Sequence, residues 1–188
     1  MLEILKSRAS TGELTEPGPD ETALGEILSA AVRAPDHGKL RPWRFYIVRG
    51  DARKRLSDLF AEALLHREPE ATPAQVEKER AKPMRSPVTV VVVAKVVEGH
   101  KIPVIEQVLS TGAAAMNILN AAHALGFAAK WVTGANCYDP CFLAEFGLEP
   151  TDLLAGFIHI GTAKSVATPE RPDAAAFTTE WVGPGMRD

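Results

Sequence analysis

The chain has 188 residues, of which 46% are hydrophobic and 24% charged; this argues against disorder over most of its length and suits one globular domain, residues 1–188. Two cysteines cannot build a disulfide framework, and the opening MLEILKSRAS lacks an apolar signal core, so a reducing, cytoplasmic setting is expected. The net charge is −3, yet Arg33 to Arg55 holds eight bases against two acids (+6) and leaves −9 elsewhere, which argues against general nucleic-acid affinity and for either one local anion site or a solvated basic face.

In chain order, a short helix over 3–7 leads into Arg8-Ala9-Ser10. Glu16-Pro17-Gly18-Pro19 reads as a rigid turn, and Asp20 as the N-cap of a helix whose Leu24, Ile27, Leu28, Ala31 and Val32 recur at helical spacing. Pro35 ends it, because the residue before a proline is pushed out of the helical region. A stiff, donor-rich loop over 36–42 delivers the chain to an aromatic and β-branched strand starting at Trp43. Asp51 opens a helix with Leu56, Leu59, Phe60, Ala63 and Leu64 on one face. Residues 66–86 turn charged and proline-interrupted, a lid or an insertion, with an exposed helix over 73–82.

Val88 to Val97 is the nearly continuous apolar run of a strand buried on both faces. An Ala-rich helix over 105–125 stops at Gly126 and is followed by a strand over 128–133, a short helix over 140–146 and a strand over 153–160. Gly112 to Ala129 is the longest weakly polar stretch, but Asn117, Asn120 and His123 interrupt it, so no membrane span is expected. The arm over 163–188 carries Phe177 and Trp181, which predicts burial against a partner protomer. The order ααβαβαβαβ gives an α+β sandwich around a mixed sheet.

Several chemistries lack their motif. There is no Gly-x-Ser-x-Gly elbow, no phosphate loop of ATPase type and no Gly-x-Gly-x-x-Gly. The five histidines have no metal-ligand spacing, so no metal is expected, and Cys137 and Cys141 read as small hydrophobes. Arg8 and Ser10 together could grip a phosphate, and the loop from Ala34 to Trp43 is built to hold a planar or anionic ligand or simply to connect helix to strand.

Arg8-x-Ser10, the loop Ala34-Pro35 to Pro42-Trp43, and Trp131-Val132-Thr133-Gly134, in this order, resemble the nitroreductase family, and within it a compact subgroup of NAD(P)H nitroreductases. Lys95, His100-Lys101, Pro103, Glu106-Gln107 and Gly126-Phe127 extend the resemblance over nearly the whole chain. It implies an α-β-α sandwich around a mainly antiparallel sheet, an extended C-terminal arm, and a homodimer with FMN at the interface. Arg8, Ala9 and Ser10 would meet the FMN phosphate, Trp131, Val132 and Thr133 would line the flavin, and Arg33 and His37 would reach FMN held by the other protomer. Ala121, Ala122, His123, Ala124, Leu125 and Gly126 would neighbour the nicotinamide nucleotide, NADH or NADPH. Two departures stand out: Ala9 where many relatives have a second Arg, and His37 and Lys39 in the proline loop where larger relatives have an Asn, with Arg171 as a candidate for their late phosphate-binding Arg. The implied activity passes hydride from NAD(P)H through FMN to a flat acceptor such as a nitroaromatic or quinone, with no side chain required as acid, base or nucleophile. A flavin-binding or redox-sensing protein with little turnover is the rival reading.

Overall fold

The computed structural model describes residues 2–165, 168–181 and 183. Its elements run α1 (Leu2–Ser7), β1 (Leu14–Thr15), α2 (Glu21–Ala31), β2 (Trp43–Arg49), α3 (Ala52–Arg67), α4 (Pro73–Arg80), β3 (Val88–Ala94), α5 (Val104–Ala124), β4 (Ala128–Val132), α6 (Pro140–Glu145) and β5 (Leu153–Ala163), with short 3-10 turns between some of them.

β3 organises the molecule. All seven of its residues are buried, and they alternate: Val90 and Val92 pack with α2 and α5, whereas Val91 and Val93 pack with α3 and α6. Each of these valines contributes on the order of 1.5–3 kcal/mol by leaving water. β3 pairs antiparallel with β2, Trp43 facing Ala94 and Arg49 facing Val88, and on its other side with β5. β5 also pairs with β4 (Ala128 facing Gly161) and, at its far end, with β1 (Leu14 facing Ala163). The spatial order is therefore β2-β3-β5-β4, and the one parallel contact among the described residues is the bridge of Ser10 to Ala129. This is the expected sandwich, helices on both faces of a mainly antiparallel sheet.

Local chemistry explains the helix boundaries. Asp20 Oδ1 accepts from Ala23 N at 2.8 Å and starts α2. Thr72 and Gln75 form a capping box at α4, with Pro73 at its first turn. At the end of α5, Phe127 N donates to Ala122 O at 2.9 Å and Gly126 N to His123 O at 3.0 Å. This closure needs the positive φ of Gly126.

Some expectations change. β1 is two residues long, too short to announce itself by alternation. β3 ends at Ala94 instead of Val97, because the buried Gln107 side chain takes Val97 N and O (2.9 and 3.1 Å), and Lys95 turns to Asp152 Oδ2 at 2.5 Å. Asp51 precedes α3 without capping it and pairs with Lys54 instead. Residues 66–86 are neither loose nor detached: Ser57 Oγ donates to Arg80 O, and Arg80 pairs with Asp58. Of the arm over 163–188, residues 166, 167, 182 and 184–188 lie outside the described ones. The remainder includes a 3-10 turn (Ala174–Phe177), and within this chain Phe177 and Trp181 are exposed. Among the described residues no helix is long and apolar enough to cross a membrane.

Candidate functional site

Two of the three groups of residues expected to bind FMN meet on one edge of the sheet. The chain leaving α1 runs beside β4: Ser10 bridges Ala129, and Thr11 N donates to Ala129 O at 3.4 Å. Backbone groups alternate between edges along a strand, so Trp131 presents its N–H and C=O on the same edge as Ala129, beyond the reach of that bridge. Arg8 sits at the start of this run. Its guanidinium Nε and Nη1 are buried and have no hydrogen-bond partner among the described residues. A buried guanidinium left this way costs several kcal/mol, which an anion placed there would offset. Arg171 lies beside this run: its Nη2 donates to the Arg8 carbonyl at 2.5 Å.

The last turn of α5 joins this region, because Ser7 Oγ lies 2.8 Å from His123 Nε2. Residues 121–126 are not equivalent, however. Ala122 belongs to the hydrophobic core, whereas Ala124, Leu125 and Gly126 are exposed. The same holds along β4, where Trp131 packs toward α2 and α5 with its Nε1 donating to Ala155 O at 3.0 Å, while Val132 packs on the opposite face. Trp131 can therefore offer a ligand its backbone on the open edge, whereas Val132 turns its backbone to β5, and the three side chains do not converge.

Arg33 and His37 lie elsewhere. His37 Nδ1 is 2.6 Å from Glu106 Oε2, in the first turn of α5. His123 is in the last turn, about 25 Å away at 1.5 Å per residue. One chain does not bring the two halves together. The loop that carries His37 is strained: Lys39 and Arg41 adopt positive φ (55° and 50°), with Arg41 N held by Asp36 Oδ2 at 2.7 Å. The basic segment also disperses. Arg44 folds back on the carbonyls of Arg41 and Trp43, Arg53 donates to Ser86 O, and Arg55 pairs with Glu62 and Glu145.

A cavity of 310 Å3 opens beside Thr11 and Gly12 and is bounded by Lys130, Val132 and Thr133. Its far wall comes from the segment expected as a lid or an insertion, through Arg67, Glu68, Glu79, Lys82 and Arg85. Four cations face two acids there, and Lys82 Nζ pairs with Glu79 Oε1 at 2.5 Å. His159 completes the lining, with its Nδ1 2.9 Å from Ser86 Oγ and 3.0 Å from Thr89 Oγ1. Burial, then the charges of Lys130 and Arg85, push its pKa down to about 4, so it is neutral at neutral pH. A second recess of 370 Å3, more open to solvent, lies in the proline loop between Val32 and Trp43.

Sequence reading missed Lys130 and His159. The alternation of β4 that puts Lys130 on the face of Val132 was its one available signal; His159 had none. The cysteines also differ from expectation: Cys137 is buried, but Cys141 is exposed and lies in a cluster with His66 and Asp139.

Comparison with known proteins places this geometry. Residues 5–162 match the family model described as "Nitroreductase family". The Escherichia coli (strain K12) protein named "Putative NAD(P)H nitroreductase YdjA" is 36% identical over 180 residues, 95% of this chain and 97% of its own. A crystal structure of a nitroreductase-like family protein from Bacillus cereus superposes with a TM-score of 0.85 at 24% identity, over 97% of this chain and 96% of that one. A "putative nitroreductase in complex with fmn" from Desulfovibrio desulfuricans superposes with a TM-score of 0.74 at 23% identity, over 97% of both chains. The matched residues span the run from α1 to β5 that builds the Arg8 edge, the α5 turn and the cavity wall, and this chain belongs to the nitroreductase family.

Proposed function

We propose that this protein is a cytoplasmic, FMN-dependent NAD(P)H oxidoreductase that acts as a homodimer on flat acceptors such as nitroaromatics or quinones. The observation that carries this reading is the Arg8 guanidinium at the head of an open strand edge, whose buried Nε and Nη1 have no hydrogen-bond partner among the described residues. A phosphate monoester suits the first and a flat, hydrogen-bonding ring suits the second. Arg8 and Ser10 would hold the phosphate, and the open-edge backbone of Trp131, with Thr133 just beyond it, would meet the ring. Bound there, FMN supplies the chemistry: it accepts hydride from NAD(P)H and passes electrons on to the acceptor.

The remaining work falls to binding and orientation. Glu106 accepts from His37 Nδ1, which leaves Nε2 as the ring atom free to serve a ligand. A second copy would supply Arg33 and His37, since the length of α5 separates His37 from the Arg8 end of the same chain. The helix is prepared for pairing: Ile105 and Leu109 are 61% and 63% exposed, on one stripe with Met116. An antiparallel pair of α5 helices would bring the His37 end of one protomer to the Arg8 end of the other, with the arm lying across the partner. The turn over 121–126 would then border the nicotinamide position.

The test is the visible spectrum of the purified protein before and after anaerobic NADH, then NADPH. A flavin spectrum that bleaches supports the reading. A flavin that neither nucleotide bleaches, or a protein that refuses FMN, refutes it.

A further inference from the structure

Away from the Arg8 edge, His66 of α3 meets Asp139 and Cys141, two residues apart at the start of α6. Cys141 is exposed near the start of α6, with its Sγ 3.5 Å from His66 Nε2. The other ring nitrogen, His66 Nδ1, lies 3.7 Å from Asp139 Oδ2. The Asp139 carboxylate is fully buried and held from two sides: Oδ1 accepts from Phe142 N at 3.0 Å and Oδ2 from Arg67 Nη1 at 2.7 Å. Burial by itself would raise its pKa, but the Phe142 N–H and the Arg67 guanidinium outweigh it and keep the carboxyl below its ordinary value. An anion of fixed position therefore faces the imidazole.

This is the sequence of nucleophile, base and orienting carboxylate, with the two contacts made by different nitrogens of one ring. A metal is the competing use, since one donor atom from each residue lies within 4.8 Å of the others. One feature counts against it: the Arg67 guanidinium occupies Asp139 Oδ2 and sets a positive charge beside the place a dication would take.

We propose that Cys141 is a nucleophilic thiol site for small hydroperoxides, with His66 as its base and Asp139 positioning the imidazole. Cys141 lines neither cavity, so its reagent arrives from solution and is not held as a bound substrate. His66 Nε2 takes the thiol proton, and the sulfur attacks the terminal oxygen of the hydroperoxide. An S–O bond forms as the O–O bond breaks, and the leaving alkoxide takes the proton back from His66. Cys141 is oxidised by two electrons to the sulfenic acid, and the hydroperoxide is reduced to the alcohol, or to water where it is hydrogen peroxide. Cys137 does not compete, because it is buried and burial pushes its thiol pKa up. Arg67 ties the triad to the cavity, since its Nη2 donates to Asn136 Oδ1 at 2.7 Å and both residues line the wall.

The test treats the purified protein, cofactor included, with one equivalent of hydrogen peroxide and traps sulfenic acid with dimedone, the site being read by peptide mass spectrometry. The adduct is expected on Cys141, absent in C141S, and formed roughly tenfold more slowly in H66Q, less than the usual span for a general base because this one is half-open to water. His66 is 57% exposed, so the H66Q variant keeps the fold, which a thermal melt checks, and H66N replaces it if the melt shifts. A rate unchanged in these variants, or an adduct on Cys137 instead, overturns the proposal. So does stoichiometric retention of added zinc that shields Cys141 from iodoacetamide.

Discussion

Acidification should weaken this fold through His159, by an amount the structure sets. Its pKa is about 4 in the folded protein because burial and the charges of Lys130 and Arg85 disfavour the imidazolium; in the unfolded chain it returns to 6.5. The unfolded state thus binds more protons between these values, and stability falls as pH drops through that window and levels off below it. The loss is about 2 kcal/mol by pH 5 and about 3 kcal/mol by pH 4. His159→Asn retains a polar group beside Ser86 and Thr89 but cannot titrate. Urea unfolding of the cofactor-free protein and of this variant, followed by circular dichroism from pH 7 to pH 4, isolates the term. The stability of the parent relative to the variant should fall by those amounts as the pH drops. A difference that stays flat over the whole range would show that His159 titrates alike in both states, and the reasoning would fail.

Replacing Arg8 by Ala would remove the proposed charge-assisted phosphate contact, about 1.5–3 kcal/mol, so FMN should bind roughly 10- to 150-fold more weakly in a flavin fluorescence titration. Gly156→Ala should destabilise by about 3–5 kcal/mol, because its φ is 136° and an added Cβ would lie 2.5 Å from Trp131 Nε1 and 2.6 Å from Val132 O; an unchanged urea midpoint would contradict this. Leu109→Asp on the exposed stripe of α5 should yield a monomer by sedimentation that loses flavin, since Arg33 and His37 would no longer be supplied by a second copy; a monomer that retains FMN would refute the shared site.

What the sequence by itself determined is local and periodic. The unbroken valines of β3 could only be a strand covered on both sides, and the spacing from Leu24 to Ala31 only an amphipathic helix. Arg8, Ser10 and the residues around Trp131 were legible because their order along the chain carries a family resemblance. Tertiary structure decided everything that depends on distant neighbours. It left Nε and Nη1 of Arg8 without a partner among the described residues, made His159 a neutral cavity wall, and set Cys141 against His66 and Asp139. It also showed that Trp131 and Val132 face opposite ways, and that the length of α5 divides the candidate site between two ends of one chain. The physical reason is that side-chain periodicity follows from backbone geometry within one element. Burial, charge pairing and the freedom of a donor depend on which element packs opposite, and residues 66 and 141, or 8 and 129, meet only once the sheet has formed.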